Sequence, residues 1–181
     1  MATAFSHAVV ALALGRSVQS TVMDRRALLL GAASAVIPDL DVVGMYAGIE
    51  YGALWGHRGL THSLFLLPCG GALVAGLWYR RQPTSAMIGM GFYLALCTAS
   101  HGLLDAMTDG GLGVAFFSPF DASRYFLPVR PVMVSPIGMG FFGPYGGLVL
   151  LSEVRWIWLP SLILWAGCRV LVRLASRPGD L

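Results

Sequence analysis

Residues 60–79 read LTHSLFLLPCGGALVAGLWY, a run with no Asp, Glu, Lys or Arg that is closed by Arg80, Arg81 and Pro83. About 20 apolar residues are what a helix needs to cross the hydrocarbon of a bilayer. A helix also pairs its own backbone polar groups there, where no water can. The whole chain follows the same rule. It is 181 residues long, 56% hydrophobic and 12% charged, against about 25% charged in ordinary globular domains, and its mean hydropathy is +0.71. The sequence therefore predicts an all-α, polytopic integral membrane bundle, a single domain over residues 1–181 with about five membrane-embedded helices.

Residues 1–15 form an uncharged stretch too short to cross alone. With no basic segment ahead of it, this stretch is expected to stay attached rather than be cleaved as a leader. The next run, RALLLGAASAVIPDLDVVGMYAG, is interrupted by Pro38 and the acids Asp39 and Asp41. Residues 46–59 read as a loop, 60–79 as a helix starting near Leu60, and 84–107 as the next span. Residues 108–147, rich in Gly, Pro and aromatics, read as a long folded loop at the interface. Residues 143–151 are too short to cross, and 156–172 form the expected last helix.

All twelve basic residues are arginine, scattered in short loops and at helix ends, which argues against a nucleic-acid partner. Cys69, Cys97 and Cys168 share no C-x-x-C spacing and read as small core residues. Short loops holding positive charge stay cytoplasmic. Placing Arg16, Arg25, Arg26, Arg80, Arg81, Arg173 and Arg177 inside puts the N-terminus outside, and brings His7, Asp39, Asp41, His57, His62, His101 and Asp105 towards the same, outer side.

Those residues carry the chemistry. Residues 56–63, Gly-His-Arg-Gly-Leu-Thr-His-Ser, place two imidazoles, a guanidinium and two hydroxyls in eight positions. Gly56 and Gly59 are expected to hold a turn from which both rings converge. His101 and Asp105 are four apart, on one helical face. Ionisable groups in membrane segments are costly, so such a cluster needs a function. Histidine nitrogens with carboxylates form the ligand set of a divalent metal site, zinc foremost and manganese as an alternative, with one or two ions. The predicted ligands are His7, Asp39, Asp41, His57, His62, His101 and Asp105. Asp39 or Asp41 would serve as general base or bridge, and one of the two can instead simply cap the turn after Pro38. Arg58 would face charge developing on a substrate, while Thr61 and Ser63 would orient ligands.

His7, Pro38-Asp39-Leu40-Asp41, the block from His57 to Ser63, and His101 to Asp105 followed by Thr108 and Gly110 resemble the YdjM-type family of bacterial inner-membrane proteins, described as membrane-bound metal-dependent hydrolases. The order His, Asp, His, His-x-x-x-Asp is also similar to the zinc-dependent phospholipase C and P1 nuclease superfamily. It departs from that pattern after His101, where no histidine follows and Glu153 is the last glutamate. The resemblance implies a multi-pass protein of the cytoplasmic membrane that hydrolyses a small amphiphilic substrate, a phospholipid or another lipid-linked phosphoester, among membrane lipids as partners. The alternative is a non-enzymatic membrane protein whose metal is structural or recruits a regulatory partner.

Overall fold

The computed structural model describes residues 1–18 and 23–175; Arg177, used above to orient the chain, lies outside them. Seven α-helices follow in order: α1 Ala4–Ser17, α2 Arg25–Val36, α3 Val42–Tyr46, α4 Leu66–Trp78, α5 Thr84–Ala106, α6 Pro144–Glu153 and α7 Leu159–Ala175. Three runs are long and apolar enough to cross a membrane: Arg25–Tyr46, Thr84–Ala106 and Pro144–Ala175. With the shorter α1 and α4 they make the helical membrane bundle the composition predicts, and no strand occurs among the described residues.

α5 is the axis of the bundle. Its buried residues, Met90, Tyr93, Leu94, Cys97, Thr98, His101, Gly102, Asp105 and Ala106, recur at three- and four-residue steps. That stripe continues the apolar core face straight into the polar pair His101 and Asp105. α4 and α2 pack on α5, and α1 packs on α2, α5 and α7. The α1 and α2 contacts are built from small residues, Ala11, Gly15, Ala27, Gly31 and Ala35, which let helix backbones approach closely without a large side chain between them. Tyr93 fills the remaining space and donates its hydroxyl to the Ala11 carbonyl at 3.0 Å.

Two expectations change. Residues 60–79 are not one helix. Leu60–His62 is a single 3₁₀ turn, the chain extends at Ser63, and α4 begins only at Leu66. The Ser63 hydroxyl causes the break: it donates to the Ser118 carbonyl and accepts from the amides of Phe65 and Leu66, capping the start of α4. The hydroxyl of Ser63 thus serves the helix start instead of orienting a candidate ligand. At 13 residues, α4 is about 20 Å long, too short to cross alone. Conversely, residues 143–151 and 156–172 belong to one helical run, Pro144–Ala175, joined by a π-helical turn over Val154–Trp158. Pro160 cannot donate to the carbonyl one turn back and its ring crowds that carbonyl, so the helix widens just before it instead of ending.

Of the cysteines only Cys97 is buried. Cys69 lies exposed on α4 and Cys168 is half-buried, all three as free thiols. The long loop is folded as expected. It is pinned by isolated bridges between Thr108 and Val132 and between Val114 and Tyr125, and by Arg124, which donates to the carbonyls of His57, Tyr51 and Ala53. Arg124 therefore clamps the loop against the 51–57 segment.

Candidate metal centre

The cluster forms where the ends of three helical elements meet two turns. α1 contributes His7 from its buried face. Pro38 stops α2 and winds Ile37–Asp41 into a 3₁₀ turn, which aims Asp39 inward. The 56–63 segment folds back tightly: a Cβ on Gly56 would stand 2.2 Å from the Glu50 carbonyl oxygen and one on Gly59 would stand 2.3 Å from that of Leu54. Only glycine fits either position, and the turn they permit delivers His57 and His62. α5 supplies His101 and Asp105.

His62, His101 and Asp105 are wholly buried and Asp39 is 8% exposed. Each of the four offers one ligand atom, and those atoms all lie within 4.8 Å of one another. His62 Nε2 is 3.6 Å from Asp39 Oδ1 and 3.5 Å from Asp105 Oδ2, and His101 Nε2 is 3.5 Å from Asp39 Oδ1. Such separations are long for hydrogen bonds, yet donors about 2.0 to 2.2 Å from a tetrahedral ion stand roughly 3.3 to 3.6 Å apart. His7 joins from the side, its Nε2 3.5 Å from Asp105 Oδ1 and 3.8 Å from Asp39 Oδ2, with its ring stacked on His101 at 3.9 Å. Both nitrogens of His7 and both oxygens of Asp39 are buried without a hydrogen-bond partner. Buried polar atoms are otherwise paired almost without exception, so these orphans fit donors to a cation.

The surrounding hydrogen bonds set which nitrogens are free. His101 Nδ1 lies 2.7 Å from the Ala35 carbonyl, which can only accept, so the ring's proton sits on Nδ1 and the Nε2 lone pair faces the cluster. That nitrogen is 2.8 Å from His62 Nε2. Two imidazole nitrogens so close share a proton, and they would move apart by about 0.5 Å to serve as two ligands of one tetrahedral ion. His62 lies outside the spanning runs. Burial pulls its pKa down, but the negative charge of the neighbouring carboxylates of Asp105, Asp39 and Asp41 outweighs that and raises it to about 10. The point where the donors meet therefore calls for positive charge.

Asp41 and His57 form the layer behind. Asp41 accepts from His57 Nδ1 at 2.7 Å, from the Thr61 hydroxyl at 2.6 Å and from the Arg58 amide at 3.1 Å, and lies 3.3 Å from His62 Nδ1. It ties both histidines and Thr61 into one frame. Asp41, His57 and His62 are themselves close enough to form a second candidate ion site, and His57 Nε2 is buried without a partner. Arg58, fully buried and at φ 62°, donates from Nε to Asp105 at 2.9 Å, from Nη2 to Thr108 at 2.9 Å and from Nη1 to the Gly110 carbonyl at 3.0 Å. Its fork is thus filled by the protein, and it reaches the centre through Asp105.

Three contributors were not read from the sequence. The Ala2 amide donates to Asp105 at 2.7 Å, and the Ala35 carbonyl orients His101. Backbone groups leave no trace in residue identity. Glu153 is fully buried and accepts from the Thr3 amide and hydroxyl and from Ser6, bracing the first turn of α1 that carries His7. Its signal was there to see: it is the sole acid in the apolar stretch LVLLSEVRWIW. Asp109 and Asp121, the acids of the long loop, each accept from a loop amide instead, those of Val134 and Ser123.

No solved structure matches the chain. The inner membrane protein YbcI of Escherichia coli strain K12 is 36% identical over 168 residues, covering 91% of this chain and 95% of that protein. The family described as YdjM inner membrane protein matches residues 1–178, a range that includes every residue of the centre. With a helical membrane bundle and near full-length similarity on both counts, the chain belongs to the YdjM family of inner membrane proteins.

Proposed function

We propose that the protein is an integral-membrane, metal-dependent hydrolase acting on a phospholipid or another lipid-linked phosphoester, with its site towards the extracytoplasmic side. The observation that supports it most is the set of buried, unpartnered donors of His7 and Asp39 beside His62, His101 and Asp105. In this reading Asp39, His62, His101 and Asp105 hold one divalent ion, zinc by donor type, and His7 stands as an additional ligand. The ion when bound would supply Lewis acidity towards a phosphoryl oxygen and water. The chain's own groups do the rest. Arg58 balances Asp105 and fixes its direction, and Asp41 orients His57 and His62.

Burial of nearly every donor favours a second reading, a closed structural ion. One experiment separates them: phospholipid micelles are incubated with detergent-purified protein, with and without chelator, and hydrolysis products and helix content are followed together. The hydrolase reading expects product release that stops on chelation, and in Asp39→Asn, while helix content persists. A structural ion expects unfolding on chelation and no product at any stage.

A further inference from the structure

Beside the metal centre, and separated from it by the Ile37–Asp41 turn, a cleft of about 370 Å³ runs between α2 and α4. Ile37, Pro38 and Leu40 form one wall, and Leu66, Leu67 and Val74 form the other. Its polar end is Asp41 and Thr61, hydrogen-bonded to each other at 2.6 Å and both within reach of His62 Nδ1. Thr98, which also lines it, has its hydroxyl engaged with the carbonyls of Leu94 and Ala95.

The two glycines that open the cleft differ in kind. A Cβ on Gly71 would stand 2.9 Å from the α5 backbone, so Gly71 is fixed by helix packing. A Cβ on Gly70 would meet nothing within 4 Å, so packing does not require glycine there. The missing side chain leaves space in the cleft instead.

We propose that this cleft is the binding site for one acyl chain of a membrane lipid, entering sideways from the bilayer between α2 and α4, so that the headgroup lies at Asp41 and Thr61 against the metal centre. The occupant follows from the lining. One end carries the Asp41–Thr61 pair and adjoins the centre, the rest of the lining is apolar but for Ser34 and Thr98, and both flanking helices are membrane-embedded, which matches a polar head on a hydrocarbon tail and not a water-soluble ligand. The lipid class of the substrate rests on the hydrolase reading above; the cleft as a lipid site does not.

The test uses full-length protein in nanodiscs of phosphatidylethanolamine and phosphatidylglycerol, with a trace of phosphatidylethanolamine carrying a photoactivatable diazirine in its acyl chain. Labelled peptides are mapped and bound metal is measured on the same samples. Label concentrated on Ile37–Leu40 and Leu66–Val74 supports the proposal. So does its loss in Gly70→Phe by about tenfold, the effect of roughly 1.4 kcal/mol of steric exclusion, with bound metal unchanged. Gly70→Leu provides the same comparison with a smaller side chain. Label spread evenly over the outward residues Ile88 and Phe92 of α5, and indifferent to both Gly70 variants, overturns it. A protein dimer cross-linked through α4 in place of lipid label also overturns it, since a second copy would then fill the cleft. His101→Ala separates the two readings: cleft labelling that survives loss of the metal upholds the lipid site even if hydrolysis is never found.

Discussion

Arg58 shows how a buried cation can hold a neighbouring carboxylate in place while bonded on each side to the protein itself. It occupies the left-handed region at φ 62° and is fully buried. Its guanidinium pairs with the Asp105 carboxylate and reaches Thr108 and Gly110. Removing the cation leaves a buried carboxylate uncompensated. Arg58→Leu is therefore expected to cost about 3 to 5 kcal/mol of stability, read as a lower thermal midpoint in detergent. Asp39 presents the opposite case, because its oxygens receive no hydrogen bond at all. Asp39→Asn is expected to leave the metal-free fold's thermal midpoint unchanged or higher while bound metal falls, since an uncharged amide neither repels Asp105 nor serves as a strong ligand.

At the scale of elements, the helices are held at distances that small residues set. A Cβ on Gly31 would lie 2.1 Å from the Tyr93 hydroxyl oxygen, and one on Gly15 would lie 2.5 Å from Leu28. Gly31→Ala is expected to push α2 from α5 and cost about 1 to 3 kcal/mol, measurable in the same thermal assay. The Ala35 carbonyl that orients His101 rides on α2, so bound metal should fall with it. The sequence shows such elements unevenly. α5 is legible because its buried stripe and its length are both encoded in side-chain spacing, and the gathering of His7, Asp39, Asp41, His57, His62, His101 and Asp105 follows once the hairpins are drawn. The start of α4 is not legible, because a hydroxyl of Ser63 bonded to Ser118, far along the chain, overrides a local apolar pattern that reads as helix. The continuity of Pro144–Ala175 is hidden because Ser152, Glu153 and Arg155 interrupt the apolar run, and only the folded chain shows that Glu153 is buried against Thr3 and Ser6 of α1. Nor does spacing tell which donors converge on the cluster and which only orient a neighbour, since Asp39 and Asp41 differ by two residues and take different places.

For the whole molecule, the centre sits at one end of the bundle. It lies at the start of α1 and the end of α5, whereas Arg16 closes α1, Arg25 opens α2, and Arg80 and Arg81 precede α5 at the other end. The positive-inside rule is the ground on which an extracytoplasmic centre is proposed. In whole cells carrying the protein with its native cysteines replaced by serine, a membrane-impermeant maleimide is expected to label Ser123→Cys and spare Gln82→Cys; the reverse pattern would place the centre inside. The account as a whole depends on one claim, that the buried His and Asp donors bind a divalent ion. Elemental analysis of detergent-purified wild type, His101→Ala and Asp39→Asn, after equal exposure to zinc and manganese and removal of free ions, tests it most directly. The account predicts about one ion per wild-type chain and clear loss in both variants, with helix content retained. A well-folded wild type that holds no ion, or variants that hold as much as the wild type, would contradict it.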